Sequence, residues 1–525
     1  MSSRTDNNLL LGLDLGISTA KAALFDRSGC MVQCEVDEYL ILPEGSKVEA
    51  DPEIYWKPMA ASIRKLLASW GGNPAQIRAV SVASHTETVI PMDRSGRPVR
   101  PALVWMDTRS KIEADELNDE IGIKRVLEIT GQTDINPIWP ITKFRWMAKH
   151  EPDELARTAK FLLPEEYLLY RLCGNFVAEQ TEWSSSLVLD IRKKKWSEEM
   201  LEFACISSKQ LPEICAPGDL IGQISEACAQ ETGLSRKTHV VAGALDHVCA
   251  AIAAGNITPG MVTESTGSVL ALVATVSHAI LDLNARIPCH IHAMPDSYCL
   301  LPWNPSGGII LKWFKDNFVS LLESSEIENV YDRLTEEAGT VKPGSNGLIL
   351  LPHFQGALFP EYNDAARGVF FGVTLAHKRA HFVRAIMEAI CFMIRGDLHG
   401  LERMGAGAKE IRVLGGGARS ELWSQMKADI CNIRVVVPAE SEAAALGAAI
   451  LAAVGSGIYP DIPSAVRTMS KIKNSIEPNP SNSAVYEATF RLYVNLYNSV
   501  KDLYSHCNQI EEISAKLSAS AGRAE

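Results

Sequence analysis

Basic charge is in short supply: 51 lysines and arginines face 63 aspartates and glutamates, for a formal net charge of −12. A general affinity for nucleic acid or for an anionic membrane needs basic surface, so neither is expected as a partner, and any anionic ligand must be held by local geometry. Paired cysteines are missing too. The 12 cysteines are scattered with no C-x-x-C among them, which in a chain of this length reads as reduced thiols and a reducing compartment, the cytoplasm being the simplest address. The beginning offers no signal peptide or membrane span, because the apolar stretch Leu9 to Leu15 is short and broken by Asp14. No low-complexity tract interrupts the sequence. Two nucleotide fingerprints are absent as well: with no G-x-x-x-x-G-K-[ST], and no G-x-G-x-x-G between a strand and a helix, P-loop and dinucleotide folds are disfavoured.

What is present is the composition of a globular protein, 46% apolar and 22% charged over 525 residues. That length exceeds one ordinary core, so two domains of about 200 to 250 residues are expected, with the cleft between them as the default place for chemistry. Leu9 to Leu13 and Lys21 to Asp26 read as strands around the turn Asp14 to Thr19, and Arg27-Ser28-Gly29 turns into a third. Asp51-Pro52-Glu53 opens a helix, and Ile77 to Ala83 and Thr88 to Met92 read as further strands. The stretch from Leu117 to about Gln230 is mostly helical by pattern and yields little chemistry. A strand through Val241 leads to Gly243 and to a helix opened by Asp246, and Met261 to Glu264 and Val269 to Val273 flank a second small-residue turn, Ser265 to Ser268. From Ile411 the order is strand, three glycines, helix Glu421 to Cys431, strand Arg434 to Val437 and an alanine-rich helix Glu442 to Val454, an α/β alternation. A final amphipathic helix, about Ala484 to Tyr504, precedes a polar tail expected to fray.

Several of these places are able to carry chemistry. In Asp14-Leu15-Gly16-Ile17-Ser18-Thr19 the glycine lets backbone approach an anion, the hydroxyls donate to phosphate oxygens, and the aspartate is suited to Mg²⁺; a plain hairpin is the alternative. Thr266-Gly267-Ser268 is a similar turn in the second half. Two such turns are what a clamp on a phosphate chain needs. Gly415-Gly416-Gly417, between strand and helix, suits close approach of a ligand, at a cost in ordering entropy. Asp246 is either a helix cap or the group that receives the proton of a substrate hydroxyl. Glu87, Trp105, Asp107 and Arg109 offer acids for sugar hydroxyls and an aromatic face for a carbon chain, against the alternative of a surface Asp107–Arg109 ion pair beside a core tryptophan.

With these residues in view, the sequence resembles the FGGY carbohydrate kinases, from about Leu9 to Tyr504. The most specific likeness is Gly368-Val369-Phe370-Phe371-Gly372-Val373 followed by His381-Phe382 and Ala385-Ile386-Met387-Glu388; Pro140 through Lys143-Phe144-Arg145-Trp146-Met147 to His150 fits a first signature apart from Ile138. The resemblance implies an α/β fold of two ribonuclease-H-like, actin-like domains with a nucleotide and substrate cleft between them, placed here at 1–242 (sugar side) and 243–480 (nucleotide side), with a helix and tail at 481–525. It implies ATP and Mg²⁺ as cofactors: Asp14 toward the metal; Gly16, Ser18, Lys21, Gly267, Ser268, Gly307, Gly308, Gly415, Gly416, Gly417 and Ser420 toward ATP; Glu87, Trp105, Asp107 and Asp246 toward substrate; and Asp246 as general base. Ile17 and Ser420 depart from the family pattern.

The expected function is therefore in-line phosphorylation of a small neutral open-chain sugar or polyol. Three carboxylates near one substrate would repel a sugar acid, so a pentulose such as xylulose is favoured. A glycerol, tetritol or gluconate kinase of the same family, and a non-catalytic actin-like ATP-binding regulator, are the alternatives. The assembly state is open, with a homodimer as one option.

Overall fold

The computed structural model describes residues 8–319 and 329–521, which divide into two compact units. Unit 1 comprises Met1–Pro259, Val273–Leu301 and Pro438–Lys471; unit 2 comprises Gly260–Leu272, Pro302–Val437 and Ile472–Glu525. These are not the consecutive stretches expected from the sequence, with a boundary at 242/243. Asp246, expected in the second domain, belongs to unit 1.

The core of unit 1 grows from the strand Leu9–Leu15, whose almost unbroken apolar run suits burial on both faces. It pairs antiparallel with Thr19–Phe25 and parallel with Ile77–Ser84, and Thr19–Phe25 carries Met31–Glu38 as the sheet's edge. On the other side Ile77–Ser84 pairs in parallel with His239–Val241 and then, two residues later, with the short strand Ala244–Leu245. The helix Ala443–Gly455 lies directly on this sheet because most of its residues are alanine or glycine. A Cβ at Gly12 would stand 1.9 Å from the carbonyl oxygen of Ala445, and one at Gly447 would stand 2.0 Å from that of Cys249 in the helix Asp246–Ala253, so the backbones of the strand and the two helices come together where side chains have been pared away. This packing makes residues 438–471 part of unit 1 despite their place near the end of the sequence.

In unit 2, Met261–Thr266 pairs in parallel with Glu410–Leu414, which pairs in parallel with Arg434–Pro438. The helices Arg379–Arg403 and Glu421–Cys431 pack together, the second running between the residues expected of it. The carboxy-terminal stretch differs from expectation. After Ser483–Val500 and a short turn, Tyr504–Ala521 forms another helix rather than a frayed tail, since Glu, Gln, Lys, Leu and Ala are good helix formers even where the stretch is polar. No helix among the described residues is long and apolar enough to cross a membrane, and all twelve cysteines are free thiols.

Candidate active site

Unit 1 gathers a group of acids and cations at the exit ends of its central strands. Asp14 and Lys21 are opposed across the antiparallel pair, with Nζ 3.6 Å from Oδ2. Lys21 also forms an ion pair with Glu442, which the third chain segment of the unit supplies. Burial pushes the Asp14 carboxyl up to about 6; Lys21 opposes that rise and the nearby Asp246 adds to it. Burial alone would lower the Lys21 ammonium, but Asp14 and Glu442 outweigh it and hold the group above its usual value. In the turn between them, the Gly16 amide donates to the Thr19 carbonyl at 2.9 Å and the Tyr39 hydroxyl donates to the Gly16 carbonyl at 2.5 Å, leaving Ile17 and Ser18 exposed at the tip.

The neighbouring strand Ile77–Ser84 ends against this turn, because the His85 amide donates to the Leu15 carbonyl at 3.1 Å and the ring Nδ1 lies 3.1 Å from the same oxygen. Two residues on, Glu87 has φ of +66°, a left-handed conformation that costs a side chain of this size of order 1 kcal/mol or more and is met mainly where the surroundings enforce it. Burial lifts its carboxyl to about 8 against the opposing Lys143 ammonium. Lys143 is fully buried on the helix Pro140–His150, where its Nζ reaches back to the carbonyls of Pro137, at 3.2 Å, and Ile138. Burial drives the Lys143 ammonium down to about 7, with Asp107 and Glu87 opposing. Asp246 opens the helix Asp246–Ala253, half-buried, and accepts from the His247 amide at 2.6 Å.

Asp107 is otherwise engaged. Its carboxylate is fully buried and accepts from the Val48 amide at 2.6 Å and from Arg109 at 2.7 to 3.0 Å. The Asp107–Arg109 ion pair foreseen as an alternative is thus present, but in the interior rather than at the surface. Arg109 is further tied to Glu49 at 2.6 Å and stacks over Trp146 at 4.8 Å. Trp105 packs, partly buried, against Val48, Ala50 and Val104.

Unit 2 gathers the glycines. The Gly307 amide donates to the Ser268 carbonyl at 3.0 Å and the Gly308 amide to the Gly267 carbonyl at 2.7 Å, so the two segments lie side by side. A Cβ at Gly307 would come within 2.5 Å of the Val269 carbonyl, and one at Gly308 within 2.7 Å of the Gly267 oxygen. Gly415, with φ of +74°, and Gly417 press on Thr266, whereas Gly416 faces open space. Beneath them Lys427 and Glu264 form a fully buried ion pair at 2.5 Å, and Lys427 also reaches the Thr266 hydroxyl at 3.2 Å. Ser420 caps the helix Glu421–Cys431, accepting from the Trp423 amide at 3.1 Å.

Each unit therefore assembles its own half of the expected residues: Asp14, Gly16, Ser18, Lys21, Glu87, Trp105, Asp107 and Asp246 in unit 1; Gly267, Ser268, Gly307, Gly308, Gly415, Gly416, Gly417 and Ser420 in unit 2. Residues 9–253 match the model of the N-terminal domain of the FGGY family of carbohydrate kinases, and residues 287–456 that of its C-terminal domain. The chain belongs to the FGGY family of carbohydrate kinases. It is accordingly a phosphotransferase, and the family implies ATP as donor. Among similar proteins, a gluconokinase of Bacillus subtilis is 30% identical over 94% of this chain and 97% of its own, and a xylulose kinase of the same organism is 28% identical over the same shares. A ligand-bound xylulose kinase from Lactobacillus acidophilus shares the fold, with a TM-score of 0.85 at 24% identity over 95% of this chain and 99% of its own.

Lys143, Glu442 and the Glu264–Lys427 pair were not singled out as site residues from the sequence. A lysine within the buried run Pro140 to Phe144 was a usable signal for the first. Glu442 gave none, standing 421 positions from the lysine it pairs with.

Proposed function

We propose that this FGGY kinase transfers the γ-phosphoryl group of ATP to a hydroxyl of a small neutral open-chain sugar or polyol, a pentulose such as xylulose first, with Asp246 as the general base. The observation that carries the reading is the state of the charges around Asp246. Lys21 is engaged by Asp14 and Glu442, Arg109 by Asp107 and Glu49, and Lys143 by two carbonyls, so the cations of this group are already spoken for and none of the three is left to receive a substrate carboxylate. Asp246 is half-buried at a helix start, where it can align an alcohol. In a loose phosphoryl-transfer transition state the proton leaves late, so orientation of the hydroxyl counts for more than the basicity of the acid.

Asp14 suits Mg²⁺. Among the described residues no group of three or more His, Cys, Asp and Glu is arranged to hold a metal by protein ligands alone, and Mg²⁺ in kinases commonly takes only one or two carboxylates, with phosphate oxygens and water completing its shell. A dication beside Asp14 would relieve the burial and the like charges that hold its carboxyl near 6. When bound, the ion would neutralise phosphate charge; the backbone amides and hydroxyls of the turns at 16–18 and 267–268 would orient the phosphate chain, and Gly415 to Gly417 would admit the nucleoside.

Gluconate is the second reading. The charge argument against a sugar acid began with three carboxylates, but Asp107 is balanced by Arg109 and the Glu87 carboxyl is held toward its neutral form, and the similar gluconokinase is 30% identical. Coupled ADP release measured with D-xylulose, glycerol, erythritol and gluconate decides between these. D-xylulose is expected to give the highest kcat/KM; a gluconate preference would replace the substrate assignment, and ATP hydrolysis unaffected by any of the four would point to the regulator alternative. Asp246→Asn is expected to lower kcat by about 10²-fold or more with ATP binding retained, and near-parental turnover would remove the base assignment.

A further inference from the structure

Behind Asp246 lies a group of acids that the proposed reaction does not use. Glu165 and Glu166 open the helix Pro164–Cys173, Glu179 ends the strand Val177–Glu179, and Thr181 and Glu182 lie in the short helix Gln180–Trp183; all five are fully buried. The explanation begins with the strand that delivers Asp246. Ala244–Leu245 has Ile77–Ser84 on one side and, among the described residues, no strand on the other. Amides two apart in a strand face the same way, so those of Gly243 and Leu245 share an edge, and a buried amide needs an acceptor. Side chains supply both: Gly243 donates to Glu165 Oε1 at 2.8 Å and Leu245 to Thr181 Oγ1 at 2.9 Å. Thr181 is fixed in turn, since its hydroxyl donates to Glu179 Oε2 at 2.5 Å and that carboxylate also accepts from the amides of Thr181 and Glu182 at 2.9 and 3.0 Å. Gly243 leaves no slack on the opposite side, where a Cβ would fall 1.6 Å from the Val82 carbonyl oxygen.

We propose that Glu165 and the Thr181–Glu179 pair are positioning residues for the phosphoryl-transfer step, standing in for a missing strand and thereby fixing the backbone that aims the Asp246 carboxylate. The inference rests on Asp246 being the base. Burial raises the carboxyls of Glu165, Glu179 and Glu182, in keeping with acids kept close to neutral, and a neutral Glu165 still accepts from Gly243 through its carbonyl oxygen. The distances at stake are small, but a misplacement of about 1 Å at a reacting group is enough to cost on the order of 100-fold in rate.

The test is Thr181→Val, which keeps shape and removes the hydroxyl, assayed with ATP, Mg²⁺ and whichever of D-xylulose, glycerol, erythritol and gluconate the parent enzyme phosphorylates. Expected are a kcat lower by about 10- to 100-fold, a KM for ATP within about twofold of the parent, and recovery of most of kcat in Thr181→Ser, which restores the hydroxyl. Glu165→Leu, which removes the acceptor of the other amide, is expected to show the same split and carries the test should Thr181→Val fail to fold. A kcat within twofold of the parent, a rise in the KM for ATP matching the fall in kcat, or no recovery in Thr181→Ser would each overturn the proposal. Asp246→Asn separates the two readings: if it is inactive while Thr181→Val is near parental, the positioning role alone falls, whereas if Asp246→Asn itself turns over normally, the base assignment falls and the positioning role with it.

Discussion

Replacing Lys427 by methionine tests the buried ion pair beneath the glycine turns of unit 2. The substitution keeps most of the side chain's apolar stem and deletes only its charge, leaving the Glu264 carboxylate fully buried with the Thr266 hydroxyl as its remaining side-chain donor. Stripping one partner from a buried pair costs about 3 to 5 kcal/mol, because the surviving charge loses its counterion while staying out of water. In a unit of roughly 200 residues each kcal/mol shifts the midpoint by roughly 2 to 4 °C, so the unit 2 transition is expected about 6 to 20 °C lower in scanning calorimetry. Thr266 immediately precedes Gly267, and Gly415 and Gly417 rest on it, so the KM for ATP should also rise, by about tenfold, with the sugar KM within twofold. The double variant Lys427→Met/Glu264→Leu removes the stranded charge and should recover most of the thermal loss. A midpoint within 2 °C of the parent for Lys427→Met would refute the reasoning, as would a double variant less stable than the single.

Two further outcomes follow from unit 1. Glu87 holds its proton to about pH 8 when folded, against 4.5 when unfolded, so the stability it contributes is complete below about pH 4.5 and is lost as pH rises toward 8, at about 1.4 kcal/mol per pH unit; Glu87→Gln should flatten the decline of the urea midpoint between pH 5.5 and 8, and parallel profiles for parent and variant would contradict the assigned burial. Gly243→Ala forces its Cβ to within 1.6 Å of the Val82 carbonyl unless the strand moves, so it should cost about 1 to 3 kcal/mol in urea unfolding and lower kcat more than the KM for ATP.

The parts of the fold written in short stretches of sequence were legible, and the parts that depend on distant segments were not. The apolar run before Asp14, the turn at Arg27 to Gly29 and the helix Glu421–Cys431 follow from local pattern and stand where that pattern puts them. The run Gly415 to Gly417 was readable from the sequence as a place where a ligand could approach backbone; in the structure Gly415 and Gly417 are closed in by Thr266 of the protein itself, and Gly416 faces open space. What pattern could not supply was partnership. By its own spacing Asp107 reads as half of an ion pair and by resemblance as a sugar ligand, and neither reading names Val48, whose amide it accepts from along with Arg109. The stretch from Leu117 to Gln230 looked chemically quiet because Glu165, Glu179 and Thr181 are ordinary helix-start and turn residues by spacing; their importance lies in amides more than 60 positions away.

The division of the chain has the same origin. A reading along the sequence ends one domain where a strand meets a new helix, yet compactness is decided by which surfaces can approach, and the surface most able to approach the central strand is one almost without side chains. The helix Ala443–Gly455 has that surface, and Gly12 and Gly447 give it room on both faces. Its arrival brings Glu442 to Lys21, where together with Asp14 it outweighs burial and holds the ammonium above its usual value. A feature that local pattern reads as an alanine-rich helix of the second half thus helps fix the electrostatics of the first turn, and it does so through backbone contact rather than through any residue that would be recognised as functional.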